Sequence, residues 1–257
     1  MNDYNAETEV DHYKFWEIEP QTFGRGVKLE GQFDDKKPIQ QQLEQLTWIA
    51  NPAEKEFNGK IHPITRPVAH LLGYFFTPAD QQPARWVLIK NQLSTKQVVW
   101  TLGNPTMLLL PASKVHTGNP PAPPNDVDHF ECYLVTKAAS VAGPVVIEDQ
   151  FDKNIIKKKE KLSTLEPAFF CVPVSKNGGA IIHKKAHLAL YDIAQQDRTS
   201  LQKIGKVIKV SCRDQFKVWN VDVKESIMIG VPTEKKNWGE GEPPKDLVPP
   251  DDGDDPT

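Results

Sequence analysis

The sequence predicts an all-β protein built from four pseudo-repeats of about 58 residues, and three observations lead there. A histidine recurs at His12, His70, His129 and His187, at intervals of 58, 59 and 58 residues. The apolar runs within each copy are short and rich in β-branched and aromatic residues. They alternate partly with polar residues, as Asn220 and Asp222 do among Trp219, Val221 and Val223, which is the period-two pattern of half-buried strands. Twenty-two prolines and fifteen glycines punctuate the chain, which favours many turns over long helices. Self-similarity at a fixed period outranks any local motif in reading a fold.

Each copy has the same parts in the same order. The histidine opens a run: HYKFWEI, HLLGYFF, HFECYLV and HLALYDI. A second run ends in a Gln-apolar pair, at Gln32-Phe33, Gln92-Leu93, Gln150-Phe151 and Gln215-Phe216. Each pair follows a good turn former, Gly31, Asn91, Asp149 or Asp214. A third run ends in Pro-x-x-Lys, placing Lys55, Lys114, Lys176 and Lys235 at equivalent positions. We read that motif as strand exit, fixed-φ turn and exposed lysine. Three or four strands per copy give roughly 12 to 16 in all. PIQQQLEQLTW and LYDIAQQDRTSLQKI have some helical character, but alignment of the copies places a strand at QLEQLTWIA.

The copies are related in pairs. One and three begin Val-Asp-His and carry Asn-Gly after the Pro-x-x-Lys, at Asn58-Gly59 and Asn177-Gly178; two and four begin Ala-His. The duplicated unit is therefore a pair of repeats. This predicts two tandem β-sandwich or barrel-like domains, residues 1–117 and 127–237, joined by the proline-rich spacer 118–126. A single four-bladed, propeller-like ring is the alternative. Residues 238–257 carry a net charge of −6 and read as an acidic Pro/Asp-rich disordered tail or extended arm. The remaining +3 is too small for a nucleic-acid footprint. No run approaches the length of a membrane span, and the first residues do not have the pattern of a signal peptide.

The four histidines invite a metal reading, yet equivalent places in a repeat scatter them around an assembly. Zinc ligands come in close pairs, and only His183 and His187 approach that spacing. Structural capping, with a ring nitrogen bonded to nearby backbone, is the preferred reading. The Gln amides are read as satisfying loose backbone groups beside an inward-turned Phe or Leu. Cys132 and Cys171 both fall in copy three, at positions where no other copy has cysteine, which suggests a bonded pair; two buried thiols on adjacent strands are the alternative. Cys212 reads as a free core thiol. G-x-S-x-G, H-E-x-x-H, C-x-x-C and phosphate-binding glycine loops are absent, so no catalytic, metal or cofactor residue is assigned.

Copy three, with HFECYLV, VVIEDQFD and FFCVPVSKNG, resembles an uncharacterised bacterial β-repeat family. The units of that family read H-x-x-C-Y-x-V, then D-Q-F-G, then L-C-x-P-x-x-K-N-G. The match rests most on His129, Cys132, Tyr133, Asp149, Gln150, Phe151, Cys171, Pro173, Lys176, Asn177 and Gly178. The other copies lack both cysteines, and every copy lacks the glycine after the Gln-apolar pair. The resemblance implies a secreted or cell-surface protein without assigned chemistry, with a cytoplasmic location as the alternative. The expected function is that of a non-enzymatic structural or interaction protein that self-associates or docks on another surface protein. The runner-up is a carbohydrate-binding module stacking sugars on Trp16, Trp48, Trp100 or Trp219, and third is an enzyme with an interdomain site.

Overall fold

The computed structural model describes residues 6–34, 37–78, 80–94 and 96–247. The strands are β1 (Tyr13–Glu30), β2 (Ile39–Phe57), β3 (Lys60–His62), β4 (His70–Phe76), β5 (Arg85–Asn91) and β6 (Val98–Val115), followed by β7 (His129–Lys137), β8 (Val141–Asp149), β9 (Glu160–Lys176), β10 (His187–Ile193), β11 (Ile208–Arg213) and β12 (Val218–Glu240). All belong to one antiparallel sheet.

Each repeat is one long hairpin. In repeat three, β7 and β8 run in line against the single strand β9. Val141 to Ile147 face Leu165 to Glu160, and His129 to Leu134 face Val174 to Phe169. In repeat one the two outgoing segments are fused into β1, 18 residues long. The inner halves close a ring in chain order, β1–β2–β4–β6–β7–β9–β10–β12 and back to β1. Neighbours in sequence are neighbours in the ring, so no crossover is required. The outer halves form arms that reach the opposite repeat. β8 pairs with the end of β2, β5 with that of β12, β11 with that of β6, and β1 with that of β9. The sheet closes without forming a regular barrel.

The two-domain expectation is not shown. Strands from residues 1–117 and 127–237 share the sheet, and β6 pairs with β7 directly across the proline-rich segment. That segment is tied down: Ser113 Oγ donates to Pro121 O at 2.6 Å, and Arg213 Nη2 to Asn119 Oδ1 at 2.8 Å. Trp238–Glu240, assigned to the tail, instead extend β12 and pair with β5. Residues 248–257 of the expected tail, and Asp35-Lys36, lie outside the described residues.

Strand alternation gives the ring two buried faces. Tyr13, Phe15, Leu71, Phe130, Cys132, Leu188 and Leu190 gather in one cluster fed by all four repeats. Trp16, Leu72, Tyr74, Tyr133 and Tyr191 point the other way, into a larger cluster under the arms. Four directly opposed pairs show how the first face is filled: Phe15–Ala50, Gly73–Leu109, Cys132–Cys171 and Leu190–Gly230. Three set a large residue against a small one. A Cβ on Gly73 or Gly230 would approach Trp48 at 3.2 Å or Phe15 at 3.1 Å, so a larger residue there would crowd its neighbour. The fourth pair is a disulfide, its two cysteines separated by 39 residues in sequence. Cys212 is buried and free, its thiol pushed up to about 12 by burial.

Candidate functional site

The repeated residues meet at four junctions. Gln32 Nε2 donates to His187 Nε2 at 2.7 Å, Gln150 to His70 at 3.3 Å and Gln215 to His129 at 3.0 Å; His12 Nε2 faces Gln92 Oε1 at 2.9 Å. Each histidine is thus bonded to the glutamine of the next repeat, and the bond from repeat one to repeat four closes the cycle. Burial, then the lysine of the same repeat, holds every ring below its ordinary value. His12 lies beside Lys55, His70 beside Lys114, His129 beside Lys176 (down to about 4) and His187 beside Lys235 (down to about 3). A neutral ring has one nitrogen that accepts and one that donates: His70, His129 and His187 accept from the amide N–H, and His12 donates to the Gln92 oxygen. The second nitrogen of His187 faces Lys185 O at 2.8 Å. The main partner, however, is a side chain from another repeat rather than nearby backbone.

The Pro-x-x-Lys reading is corrected. Pro52, Pro111, Pro173 and Pro232 lie inside strands, opposite Tyr13, Leu71, Phe130 and Leu188, so no turn follows. Lys55 and Lys176 are buried, and Lys114 and Lys235 are half-buried. Three of these amines lie over the phenylalanine of the next repeat: Lys114 over Phe151 at 3.8 Å, Lys176 over Phe216 at 5.2 Å and Lys235 over Phe33 at 5.1 Å. Ring and ammonium attract, which draws inward a side chain that would otherwise extend into water. Burial lowers Lys235 to about 8 and Lys114 to about 7.

The turn former before each glutamine works across the ring. Asp149 Oδ1 accepts from the backbone N–H groups of Phe151 and Asp152, and Asp214 Oδ1 from those of Phe216 and Lys217, which are Asx turns. The other oxygen reaches the opposite repeat. Asp149 Oδ2 accepts from Trp16 Nε1 at 2.7 Å, and Asp214 Oδ2 accepts from the Tyr74 hydroxyl. Asn91 Nδ2 donates to the Tyr191 hydroxyl at 2.8 Å. Gly31 has no side chain to offer, and Tyr133 donates instead to Glu131 Oε2 at 2.8 Å.

A buried charged network surrounds the tip of arm three. Lys14 Nζ lies 2.8 Å from both oxygens of Asp152 and 2.8 Å from Glu160 Oε2. Ser226 Oγ donates to Glu160 Oε1 at 2.7 Å. Burial alone would lower Lys14, but Glu160 and Asp152 outweigh it and keep the ammonium charged. Asn51 Nδ2 donates to Asp149 Oδ2 at 2.7 Å, and Lys114 Nζ donates to Asn51 Oδ1. A cleft of about 250 Å³ opens beside this network, bordered by Pro52, Asp149 and Gln150. Sequence reasoning missed Lys14, Asn51 and Glu160 because none of them recurs in the other copies; Asp152 recurs as Asp34, but its partner Lys14 does not.

A second cleft of about 300 Å³ lies between the tip of arm two and Tyr191, with Trp100 and Leu93 buried in its floor. The exposed tryptophan platforms are not found: Trp16, Trp100 and Trp219 are buried and Trp48 is half-buried. Among the described residues no group of His, Cys, Asp or Glu side chains is arranged to hold a metal ion. No helix among them is long and apolar enough to cross a membrane.

A ring of four hairpins tied by recurring side-chain bonds defines a repeat protein. The chain belongs to the family described as a repeat of unknown function (DUF7450), which matches residues 70–232. Comparison with curated proteins and with solved structures gave no match.

Proposed function

We propose that the chain is a non-catalytic structural or interaction module acting outside the cytoplasm, through self-association or docking on another surface protein. One observation carries this reading: every repeated histidine and glutamine is used to bind one repeat to the next. What the repetition keeps is a rigid frame. The disulfide favours an oxidising compartment. Ile61, Val68 and Ile182 expose apolar side chains on equivalent segments between the third strands of repeats one and three and the following ring strands. β3 is a sheet edge open to another strand. Light scattering followed by negative-stain imaging tests the reading: an ordered assembly is the expected result, and a clean monomer removes self-association.

The second cleft favours binding of a neutral ring, and a glycan is the leading candidate. Its lining, from Phe57, Leu93, Val98, Trp100, Val141 and Tyr191 to its serine and asparagine rim, has no charged side chain among the described residues. A glycan-array screen without signal above background would end this second reading.

A further inference from the structure

We propose that Lys114 and Asn51 form an intramolecular isopeptide bond, with Asp149 as the acid–base group. This goes beyond the functional reading above and does not depend on it. The position of Asn51 is Leu110, Val172 and Val231 in the other repeats. An apolar site has therefore become a fully buried carboxamide in one copy only. The lysine of the next repeat donates to its Oδ1, and the Asp149 carboxylate accepts from its Nδ2 at 2.7 Å. The amine, the carbon it would attack and the carboxylate beside the leaving group are thus in one enclosed cluster. The Phe151 ring lies 3.8 Å from the Lys114 amine, and the Trp16 indole fixes Asp149 Oδ2 at 2.7 Å. Positioning of this kind replaces an unfavourable encounter by a reaction within one molecule.

The step balances without a cofactor. The uncharged Lys114 amine attacks Asn51 Cγ, and the carbonyl electrons move onto Oδ1. Asp149 takes a proton from Nζ and delivers it to Nδ2, with which it is already hydrogen-bonded. The carbonyl re-forms, the Cγ–Nδ2 bond breaks and ammonia leaves toward the adjoining cleft. One secondary amide and one ammonia result, and Asp149 ends as it began. Burial lowers the Lys114 ammonium to about 7, so the nucleophilic form is accessible at neutral pH. Lys14 is a contrast: two carboxylates surround it and keep it charged, which makes it an ion-pair partner rather than a nucleophile.

Mass spectrometry of the denatured, reduced full chain tests the bond. The expected mass is lower than that of the sequence by one ammonia, and proteolysis yields a branched species joining the Asn51 and Lys114 peptides. Lys114→Met and Asp149→Asn, each checked for a retained circular dichroism spectrum, should have the unmodified mass. An unmodified wild-type mass overturns the proposal. So does loss of one water, which would move the bond to Lys14 and Asp152. Ammonia loss confined to linear peptides containing Asn58-Gly59 or Asn177-Gly178 overturns it as well, since that is asparagine cyclisation onto the following backbone N–H. Pro52 offers Asn51 no such N–H. A cross-link that persists in Asp149→Asn would overturn the role given to Asp149.

Discussion

The tips of arms one and three sit on opposite sides of the ring at equivalent places, yet they solve the same electrostatic problem differently. Asp152 at the tip of arm three meets Lys14 of repeat one at 2.8 Å. The equivalent residues on the other side are Asp34 and Glu131, two acids. Burial, then the Asp34 charge, pushes Glu131 up to about 8, so it is protonated at neutral pH. Arg85, borrowed from repeat two, lies 5.5 Å from the Phe33 ring and 5.9 Å from Tyr133. Burial raises Asp152 too, and Lys14 pulls it back; one side therefore sets a cation against its buried acids, while the other, with no cation at the equivalent position, neutralises an acid. The backbone frame is common to both sides, and the charge inventory is what diverged after duplication.

The largest expected effect comes from breaking the paired side. Lys14→Met leaves Asp152 and Glu160 buried without their cation, which costs about 3–5 kcal/mol. Glu131→Gln, at the equivalent position, replaces a protonated acid by a neutral isostere and costs under about 1 kcal/mol near pH 6. Urea unfolding of both variants checks the pair, and equal losses would remove the distinction between the two sides.

Reduction of Cys132–Cys171 comes next. Opening a loop of 39 residues is worth roughly 4 kcal/mol at most in the chain-entropy model. The bond is in repeat three alone, so the double Cys132→Ala, Cys171→Ala variant should loosen that repeat first, read as faster amide exchange in β7 and β9 than in β4 and β6. Uniform loosening would show that the ring unfolds as one unit.

The pH dependence sharpens the same comparison. Glu131 holds its proton more tightly folded than unfolded, between its ordinary 4.5 and about 8. Its contribution to stability is fully present below about pH 4.5 and is lost as pH rises toward 8. Glu131→Gln should therefore match the wild type near pH 5 and exceed it above pH 8. Parallel urea midpoints across that range would show that Glu131 is already ionised.

The repeat period, the strand at QLEQLTWIA and the junction residues were legible because each appears four times. The histidines, glutamines and lysines were visible as a pattern, but not their partners. A bond from Gln32 to His187 spans most of the chain, and no local spacing encodes it. The proline-rich segment looked like a spacer because its composition is that of one; its anchoring depends on Ser113 and Arg213, which are ordinary surface residues in sequence. Lys14, Asn51 and Glu160 were invisible for the opposite reason: they occur once, and repeat logic averages them away.

Gln150→Leu breaks one junction and leaves the His70 nitrogen buried without its partner. The cost is about 1–3 kcal/mol. Gln32→Leu does the same to His187 across the ring, so similar losses are expected and a large disparity would mean that the four junctions are not equivalent.

The smallest effect tests the odd junction. Repeat two has Leu93 where the others have Phe33, Phe151 and Phe216. Phe151 packs edge-on to Trp16 at 5.6 Å and to His116 at 5.9 Å. The counterparts of those two residues, Tyr191 and Phe57, line the second cleft together with Leu93. Leu93→Phe should place a ring there as the sibling junctions do, with a stability change within about 1.5 kcal/mol because the site has room to accept it. If the cleft binds a neutral ring, the variant loses that binding while its urea midpoint holds; a variant that binds as before would place the ligand elsewhere on the surface.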